Sequence, residues 1–278
     1  MAKSATPADL QIKPRDLHID REAPTPRWWL NGDPFGTAVM NALSLTFPDG
    51  ERFFIQSVKR FAKDAPPALA ADIRAFTVQE GAHTREHMAF NAITERAGYD
   101  TAEIEAYVTA RLDIARARPA LAQLAATMAL EHFTAAFAHR LLADPELLKG
   151  SPHDLARLWR WHSIEEIEHK GVAYDVFLHA TRDLSPLKRW RIRRWAMFLT
   201  TLLFTRTVRE TTFMLLKQDG IVGWKARLGL FRWLWLKPGL YRRMIGDYLA
   251  FYKPDFHPWQ VDDRDLIADA EAGLAKPA

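Results

Sequence analysis

The 278-residue chain contains no cysteine, which excludes disulfides, thiolate nucleophiles and cysteine-ligated zinc or iron–sulfur sites. Any bound metal must therefore be held by nitrogen and oxygen ligands. Glycine is also scarce, with 13 residues, and long stretches lack the alternation of apolar and polar residues that is typical of strands. This pattern predicts an all-α chain.

Two kinds of apolar segment are missing as well. Residues 1–16 lack the apolar region of a secretory signal. The longest apolar run extends from Trp195 to Phe204, far short of the roughly 20 residues that a membrane-spanning helix needs. We therefore expect a cytoplasmic protein without a transmembrane helix.

With 48% apolar residues, the chain has ample material for one core, and prolines and glycines mark the ends of its helices. We expect an extended N-terminal arm at residues 1–35, a four-helix bundle at 36–182, a basic, tryptophan-rich helical region at 183–260 packed on the bundle, and an acidic, flexible tail at 261–278. Within the bundle, the first predicted helix starts at residue 37 or 49 and ends at 63, and the others cover 68–97, 102–116, 119–142 and 154–181.

Each of the four long helices carries one line of residues, spaced four and three apart, that is expected to face the interior of the bundle. Every line is apolar at both ends and polar in the middle. The polar members are Glu51 on the first helix, Glu80 and His83 on the second, Glu131 on the third, and His162, Glu166 and His169 on the fourth. A buried carboxylate is costly unless it is paired or binds a cation, so four such insertions need a common explanation.

Counting residues along the helices places these groups at matching heights. Glu51 lies about 14 residues before the turn at 64–67 and Glu80 about 15 after it, so both are ~21–23 Å from that end at about 1.5 Å per residue. Glu131 lies about 11 residues before the end of its helix, and Glu166 about 12 after the start of the next. The polar groups can therefore meet in one layer.

One glutamate from each of two helices and a Glu-x-x-His pair from each of the other two is the ligand pattern of ferritin-like di-iron and di-manganese carboxylate bundles. We therefore predict a ferritin-like four-helix bundle with additional C-terminal helices that binds two iron ions, or manganese and iron. In the alternative interpretation the lines are solvated faces or contain histidine–glutamate pairs of the core, but on a solvated face the phenylalanines and tryptophans beside the polar residues would face water.

A third polar residue on the fourth helix goes beyond that pattern. His162 lies one turn before Glu166 on the same line, which predicts a seventh ligand; alternatively, it orients a carboxylate. Candidates for the layer around the ligands, or for a substrate pocket, are His87, Phe54, Met128 and Trp159.

Three neighbouring polar residues are expected to stay outside the cluster. His132 should point about 100° away from the line of Glu131 and be packed or partly exposed. Glu165 and Glu168 flank the fourth line, and we expect them to be solvated or paired with Arg160 or Lys170.

Three stretches of the chain resemble a known family. QEGAHTREHMAFN, EHF and WHSIEEIEHKGVAYDVF are similar to the bacterial family labelled predicted metal-dependent hydrolase, and the likeness extends over roughly residues 30–260. The spacing of His162, Glu166 and His169, together with the other four ligands, also resembles that of p-aminobenzoate N-oxygenase, a di-iron enzyme with an extra histidine ligand. The first resemblance implies hydrolysis and the second implies redox chemistry of iron.

Three functions follow from this ligand set. The leading prediction is an enzyme that uses two iron ions, O2 and an external electron donor to oxidise a small hydrophobic or aromatic substrate. The alternative is hydrolysis, in which two ions act as Lewis acids and activate a water molecule. The third is a metal-binding bundle without turnover. No catalytic residue beyond the metal ligands is predicted, and a homodimer is left open.

The basic residues are unevenly distributed. Residues 185–243 contain 14 Lys and Arg against Glu210 and Asp219, a net charge of +12, which leaves about −8 for the rest of a chain whose total is +4. Five tryptophans in the same segment are typical of helices at a bilayer surface, so a peripheral position at the inner face of the membrane is one interpretation. In the other, these helices cover the bundle with one face and expose the basic face. We expect no nucleic-acid partner, since no binding motif accompanies the charge.

Overall fold

A computed structural model describes residues 6–274 of the chain. That part of the protein is helical and contains no strand, which confirms the predicted all-α class. The helices are α1 Pro34–Lys59, α2 Pro67–Arg96, α3 Ala102–Arg116, α4 Ala120–Ala143, α5 His153–His169, α6 Val172–Ala180, α7 Pro186–Gln218, α8 Gly223–Phe231, α9 Leu240–Ala250 and α10 Arg264–Leu274. A π-helical turn at Arg232–Leu236 follows α8.

Helices α1, α2, α4 and α5 pack together as a bundle. α1 packs along α2 and also contacts α4, while α4 packs along α5, and α2 contacts both α5 and α6. Two apolar clusters fill the interior: the first includes Phe47, Phe90 and Trp159, and the second includes Phe76 and Met128. Along each helix the polar members of the inner line fall between residues of these two clusters.

Helix α1 begins at Pro34, earlier than either predicted start, because Asp33 caps it by accepting a hydrogen bond from a backbone N–H of the first turn at 2.9 Å. The helix then continues through Pro48. A proline has no N–H, so the carbonyl of Ser44 loses its helical partner, and Asn91 Nδ2 of α2 donates a hydrogen bond to that carbonyl at 3.3 Å. This contact joins α1 to α2 beside the polar layer.

The fourth long helix is interrupted, so that α5 and α6 replace the continuous helix predicted at 154–181. The interruption falls at Lys170 and Gly171. Glycine is a poor helix former, and its lack of a side chain matters here, because a Cβ at position 171 would collide with Thr6 and Trp259. The break directly follows His169, the last polar residue of the inner line.

Residues 6–33 contain no helix and run along the bundle. Leu17 and Trp29 are buried in the first apolar cluster, and Trp29 Nε1 donates a hydrogen bond to Asn41 Oδ1 of α1 at 2.8 Å. The adjacent Trp28 is 41% exposed. One tryptophan of the pair therefore anchors this segment to the bundle.

The C-terminal segment departs from the expected flexible tail. Residues 264–274 form α10, which packs on α5 and α4. Ile267 is buried against Ile164 and Ile167 of α5, and this burial stabilises a helix that would be too short to persist alone. Residues 1–5 and 275–278, at the ends of the expected arm and tail, lie outside the described residues.

The basic helices pack on one side of the bundle. α7 lies along α1 and α4, and α9 contacts α4. One face of α7 is buried, with residues such as Met197, Val208 and Leu215, while much of the remainder is exposed. Within the described part of the chain, every helix is too short or too polar to span a bilayer.

Candidate metal centre

The seven predicted ligands lie together in the interior of the bundle, as counting residues along the helices predicted. None of them is more than 4% exposed. They are Glu51 of α1, Glu80 and His83 of α2, Glu131 of α4, and His162, Glu166 and His169 of α5. The structure thus brings all seven side chains together, although Glu51 and His169 are 118 positions apart in the chain.

Nitrogen and oxygen atoms of these seven residues and of His87 form four groups of three in which the atoms lie within 4.8 Å of one another. The group of Glu80, Glu131 and His169 shares no member with the group of His83, His162 and Glu166. Two separate groups of three leave room for two metal ions.

Glu166 and Glu80 each face both groups. Glu166 Oε1 is 3.0 Å from His162 Nε2 and 3.6 Å from His83 Nδ1, while Glu166 Oε2 is 3.6 Å from His169 Nε2. Glu80 Oε1 is 3.3 Å from His169 Nε2, and Glu80 Oε2 is 3.9 Å from His83 Nδ1. A carboxylate whose two oxygens face different histidines would help to hold a cation in either group.

Glu131 and Glu51 belong to opposite sides of this arrangement. Glu131 Oε2 is 3.4 Å from His169 Nε2. Glu51 is grouped with His87 and His162 on the other side, and its Oε2 atom accepts a hydrogen bond from Thr84 Oγ1 at 2.8 Å. The cluster is therefore asymmetric, with more histidine on the side of Glu51.

Many of the buried polar atoms in the cluster have no hydrogen-bond partner among the described residues. They are Glu51 Oε1, Glu80 Oε1 and Oε2, His83 Nδ1, Glu131 Oε1 and Oε2, Glu166 Oε2 and His169 Nε2. Buried polar atoms are rarely left without a partner, because desolvation without compensation is costly. Cations would satisfy all of these atoms at once, and a set of imidazole nitrogens and carboxylate oxygens suits first-row metals such as iron, manganese and zinc.

Each of the three histidines is held by a neighbour through the ring nitrogen that faces away from the centre. The pairs are His83 Nε2 with Glu165 Oε2 at 3.1 Å, His169 Nδ1 with Gln79 Oε1 at 2.9 Å, and His162 Nδ1 with His87 Nε2 at 2.8 Å. Ser44 Oγ in turn lies 2.8 Å from His87 Nδ1. Such partners fix the orientation of a metal-binding imidazole and the nitrogen that it presents.

Burial strongly affects the ionisation of the carboxyl groups. It raises the pKa of Glu51, Glu80 and Glu131 well above the usual value, and neighbouring carboxylates raise the pKa further. Burial also opposes ionisation of Glu166, but two histidines of α5 outweigh this effect and hold its pKa well below the usual value. Cations between these groups would stabilise the ionised carboxylates.

Glu165 and Glu168 are buried, contrary to the expectation that they would be solvated or paired with Arg160 or Lys170. Arg15 reaches them instead: its backbone N–H donates to Glu165 Oε1 at 2.7 Å, and its guanidinium donates to the two oxygens of Glu168 at 2.6 and 2.9 Å. The reason is that residues 6–33 and α10 cover this side of α5, which periodicity within α5 alone does not reveal.

Two chains of contacts lead from Arg15 to the candidate ligands. One passes through Glu165 to His83, and burial raises the pKa of Glu165 to about 8 although Arg15 opposes this shift. The other passes through Glu168 to Gln79, whose Nε2 donates to Glu168 Oε2 at 2.8 Å and whose Oε1 contacts a ligand histidine. Sequence reasoning missed both chains, since an arginine so far from α5 gives no local signal.

The remaining predicted residues lie in two environments. The Trp159 ring packs beside the cluster, with its centroid 5.2 Å from that of His87 and 6.3 Å from that of His162. Phe54 and Met128 are buried in the second apolar cluster.

His132 stays outside the cluster, in agreement with the expectation. Its Nε2 atom lies 2.9 Å from the backbone carbonyl oxygen of Asp247 in α9. Burial lowers the pKa of His132 to about 4, so this histidine is neutral near neutral pH and packs α4 against α9.

An apolar cavity of about 1010 Å³ lies beside the cluster, between α1, α4, α7, α8 and α9. Phe47, Phe133 and Phe137 form part of its wall, and Phe54 and Met128 do not. The Phe47 ring stacks on His162 with centroids 5.0 Å apart, so the cavity ends one aromatic ring away from the candidate ligands. From the sequence, Phe47 is only an apolar member of the line that contains Glu51. Its position one helical turn before Glu51 was the signal that could have placed it beside the site.

This fold and this site define a class of all-α proteins in which a buried histidine–carboxylate cluster can hold metal ions. The chain belongs to the family described as predicted metal-dependent hydrolase, whose sequence model matches residues 13–262. That match confirms the family indicated by the three quoted stretches and extends to the segment that contains Arg15. No curated protein and no solved structure matches the chain, and the ferritin-like assignment stays a prediction.

Proposed function

We propose that this protein is a hydrolase that holds two divalent metal ions and cleaves a small apolar substrate, such as an ester, an amide or a phosphoester. The observation that carries the proposal is the set of buried ligand atoms without hydrogen-bond partners. Membership in a metal-dependent hydrolase family supports hydrolysis over other metal chemistry.

In this proposal Glu80 and Glu166 would help to hold both ions, because each carboxylate faces histidines of both groups. His169 and Glu131 would help to hold one ion. His83, His162 and Glu51 would help to hold the other. When bound, the ions would supply Lewis acidity and would lower the pKa of a coordinated water molecule.

The residues around the ligands would orient the histidine rings and keep water out of the site. Glu165, Gln79 and His87 each hold one histidine ring in place, which leaves the opposite nitrogen directed at the centre. Phe47 lies between the apolar cavity and His162 of the cluster. An apolar substrate in the cavity would exclude bulk water and approach the ions next to this ring.

Oxidation of an organic substrate with O2 is the second candidate, and the ligand pattern favours it. A glutamate from each of two helices and a Glu-x-x-His pair from each of the other two is typical of di-iron carboxylate bundles. This reaction would need iron, or manganese and iron, together with an electron donor. It would use the same seven residues and the same cavity.

Metal analysis combined with a hydrolysis assay tests the proposal. Protein purified without added metal is expected to contain about two ions per chain and to hydrolyse p-nitrophenyl esters. A chelator should abolish this hydrolysis, and added zinc or manganese should restore it. Glu131→Gln should weaken metal binding by at least about tenfold, whereas Glu146→Gln, a matched change at a side chain that is 71% exposed, should have no effect.

Three results would count against hydrolysis by this centre. Protein without metal, or ester hydrolysis that a chelator leaves unchanged, would contradict the proposal directly. Iron with a visible absorption band that appears on exposure to O2, in protein that hydrolyses no ester, would favour the second candidate.

A further inference from the structure

Most of the large apolar side chains that are exposed among the described residues lie on the basic helices. Of the 19 large apolar side chains that are exposed among the described residues, 14 lie at positions 187–249. Trp195 is 64% exposed and Trp224 is 69% exposed. Scattered exposed apolar residues are common, but a concentration of this kind marks a surface that contacts a partner or a membrane.

Several of these side chains surround the mouth of the apolar cavity. We call the exposed side chains that line it the rim: Arg209, Lys217, Val222, Arg227, Phe231, Trp235 and Ile245. The rim combines aromatic and aliphatic side chains with three basic ones and comes from α7, α8 and the residue before it, the π-helical turn and α9. The cavity therefore opens through the same surface that exposes the apolar residues.

The exposed face of α7 continues from the rim. Trp195, Phe198, Leu202 and Arg209 follow one another at intervals of three, four and seven residues, which places them on one line along the helix. The three apolar members of the line are exposed. A helix that packs on the bundle with one face thus presents a second apolar line, next to basic residues, away from the bundle.

We infer that the rim and this line of α7 form a docking surface for an anionic lipid bilayer, from which an apolar substrate enters the cavity. Exposed tryptophans at headgroup level and basic residues near anionic headgroups are the features that hold peripheral helices at a membrane. Docking goes beyond the proposed hydrolysis and does not depend on it, whereas delivery of a substrate rests on the proposed function.

The charge of this region decides between a bilayer and a second copy of the chain. Residues 185–243 carry a net charge of +12, and most of their basic side chains are exposed. A symmetric dimer through this surface would bring two such regions together and would be opposed by like-charge repulsion. An anionic bilayer has the complementary charge and an apolar interior.

Flotation with lipid vesicles tests the inference with the full-length protein. Wild-type protein should float with vesicles that contain phosphatidylglycerol, and binding should weaken in high salt and with vesicles of phosphatidylcholine alone. The double change Trp195→Ser and Leu202→Ser should reduce partitioning by at least about tenfold. Val78→Ser with Ile114→Ser, at exposed positions of α2 and α3, is the matched control and should bind like wild type.

Charge is tested in the same way. Arg209→Ala with Arg227→Ala, two basic members of the rim, should reduce partitioning by about fivefold per residue, whereas Arg60→Ala with Lys63→Ala, at exposed positions just after α1, should not. Circular dichroism and thermal melting confirm that each variant is folded.

The inference is overturned if wild-type protein does not bind anionic vesicles at low salt. It is also overturned if the surface variants bind these vesicles as strongly as wild type and the control variants do. It is also overturned if wild type is a dimer that Trp195→Ser with Leu202→Ser converts to a monomer without changing vesicle binding. Because none of these measurements uses hydrolysis, failure here and failure of the proposed function are distinguishable.

Discussion

Helices α5 and α7 depart from the usual amphipathic pattern in opposite directions. Thirteen of the 17 residues of α5 are buried, and five of these are glutamate or histidine that line or adjoin the candidate metal centre. Only nine of the 33 residues of α7 are buried, and its exposed part includes tryptophan, phenylalanine and leucine. One helix therefore has ionisable groups inside, and the other has apolar groups outside.

Both arrangements are unfavourable for an isolated chain. Ionisable groups in the interior lose hydration, and exposed apolar side chains order water or promote association. Each pattern is therefore informative about what the protein binds. The ionisable groups in the interior of the bundle are suited to cations, and the surface of α7 is suited to an apolar environment with negative charge. The following predictions test this contrast.

Removing the metal should have the largest effect. Metal bound only by the folded state stabilises it by about 4 kcal/mol when free metal exceeds the dissociation constant a thousandfold. Dialysis against a chelator should lower the free energy of unfolding by this order, because cations no longer separate the buried carboxylates. Urea unfolding with and without added metal measures the change, and equal curves would show that the cluster holds no stabilising ion.

Breaking an ion pair at the end of α5 should come next in size. Lys170 and Asp263 are both buried, and Lys170 Nζ lies 2.5 Å from Asp263 Oδ2. Asp263→Ala leaves the buried ammonium group without its carboxylate partner, with the Val261 carbonyl oxygen at 2.8 Å as the remaining acceptor, and should destabilise the fold by about 3–5 kcal/mol. Asp262→Ala, at a half-exposed side chain, is the control. A loss below about 1 kcal/mol for Asp263→Ala would show that water replaces the carboxylate.

The sequence could place the seven side chains in one layer because they repeat on lines that the helix period defines. Glu51, Glu80, Glu131 and Glu166 each interrupt an apolar line, and burial of that line determines their position. The all-α class, α3 and the family followed from equally local signals.

The periodicity of α5 could not predict the segments that cover this helix, which are residues 6–33 and α10. Contacts of Arg15 with Glu165 and Glu168 join residues about 150 positions apart, and loop-like segments have no period from which to infer their path. Trp161 and Ile164 gave a partial signal, since they lie on a second apolar face of α5 and indicate that the helix is buried on both sides. The interruption between α5 and α6 was equally hard to predict, because Trp259, which leaves no room for a side chain at Gly171, is distant in the sequence.

Removing one carboxylate from the cluster should have a small effect on the metal-free fold. Glu131→Ala takes away one of several buried acidic groups that raise the pKa of one another. We expect the metal-free protein to be unchanged or stabilised by about 1 kcal/mol, while metal binding is lost at least in part. Urea unfolding of the metal-free variant and elemental analysis measure the two effects. Strong destabilisation without metal would mean that Glu131 has a structural role in the bundle.

The smallest effect should come from the exposed line of α7. Leu202→Ser should change the free energy of unfolding by less than about 0.5 kcal/mol, because the side chain is 53% exposed and packs little in the free protein. On α5, Ile164→Ala should lower the free energy of unfolding by about 2–5 kcal/mol, since Ile164 is fully buried. Thermal and urea unfolding in the absence of lipid compare the two. If Leu202→Ser were as destabilising as Ile164→Ala, this line of α7 would already be covered in solution, and a partner other than a bilayer would have to explain it.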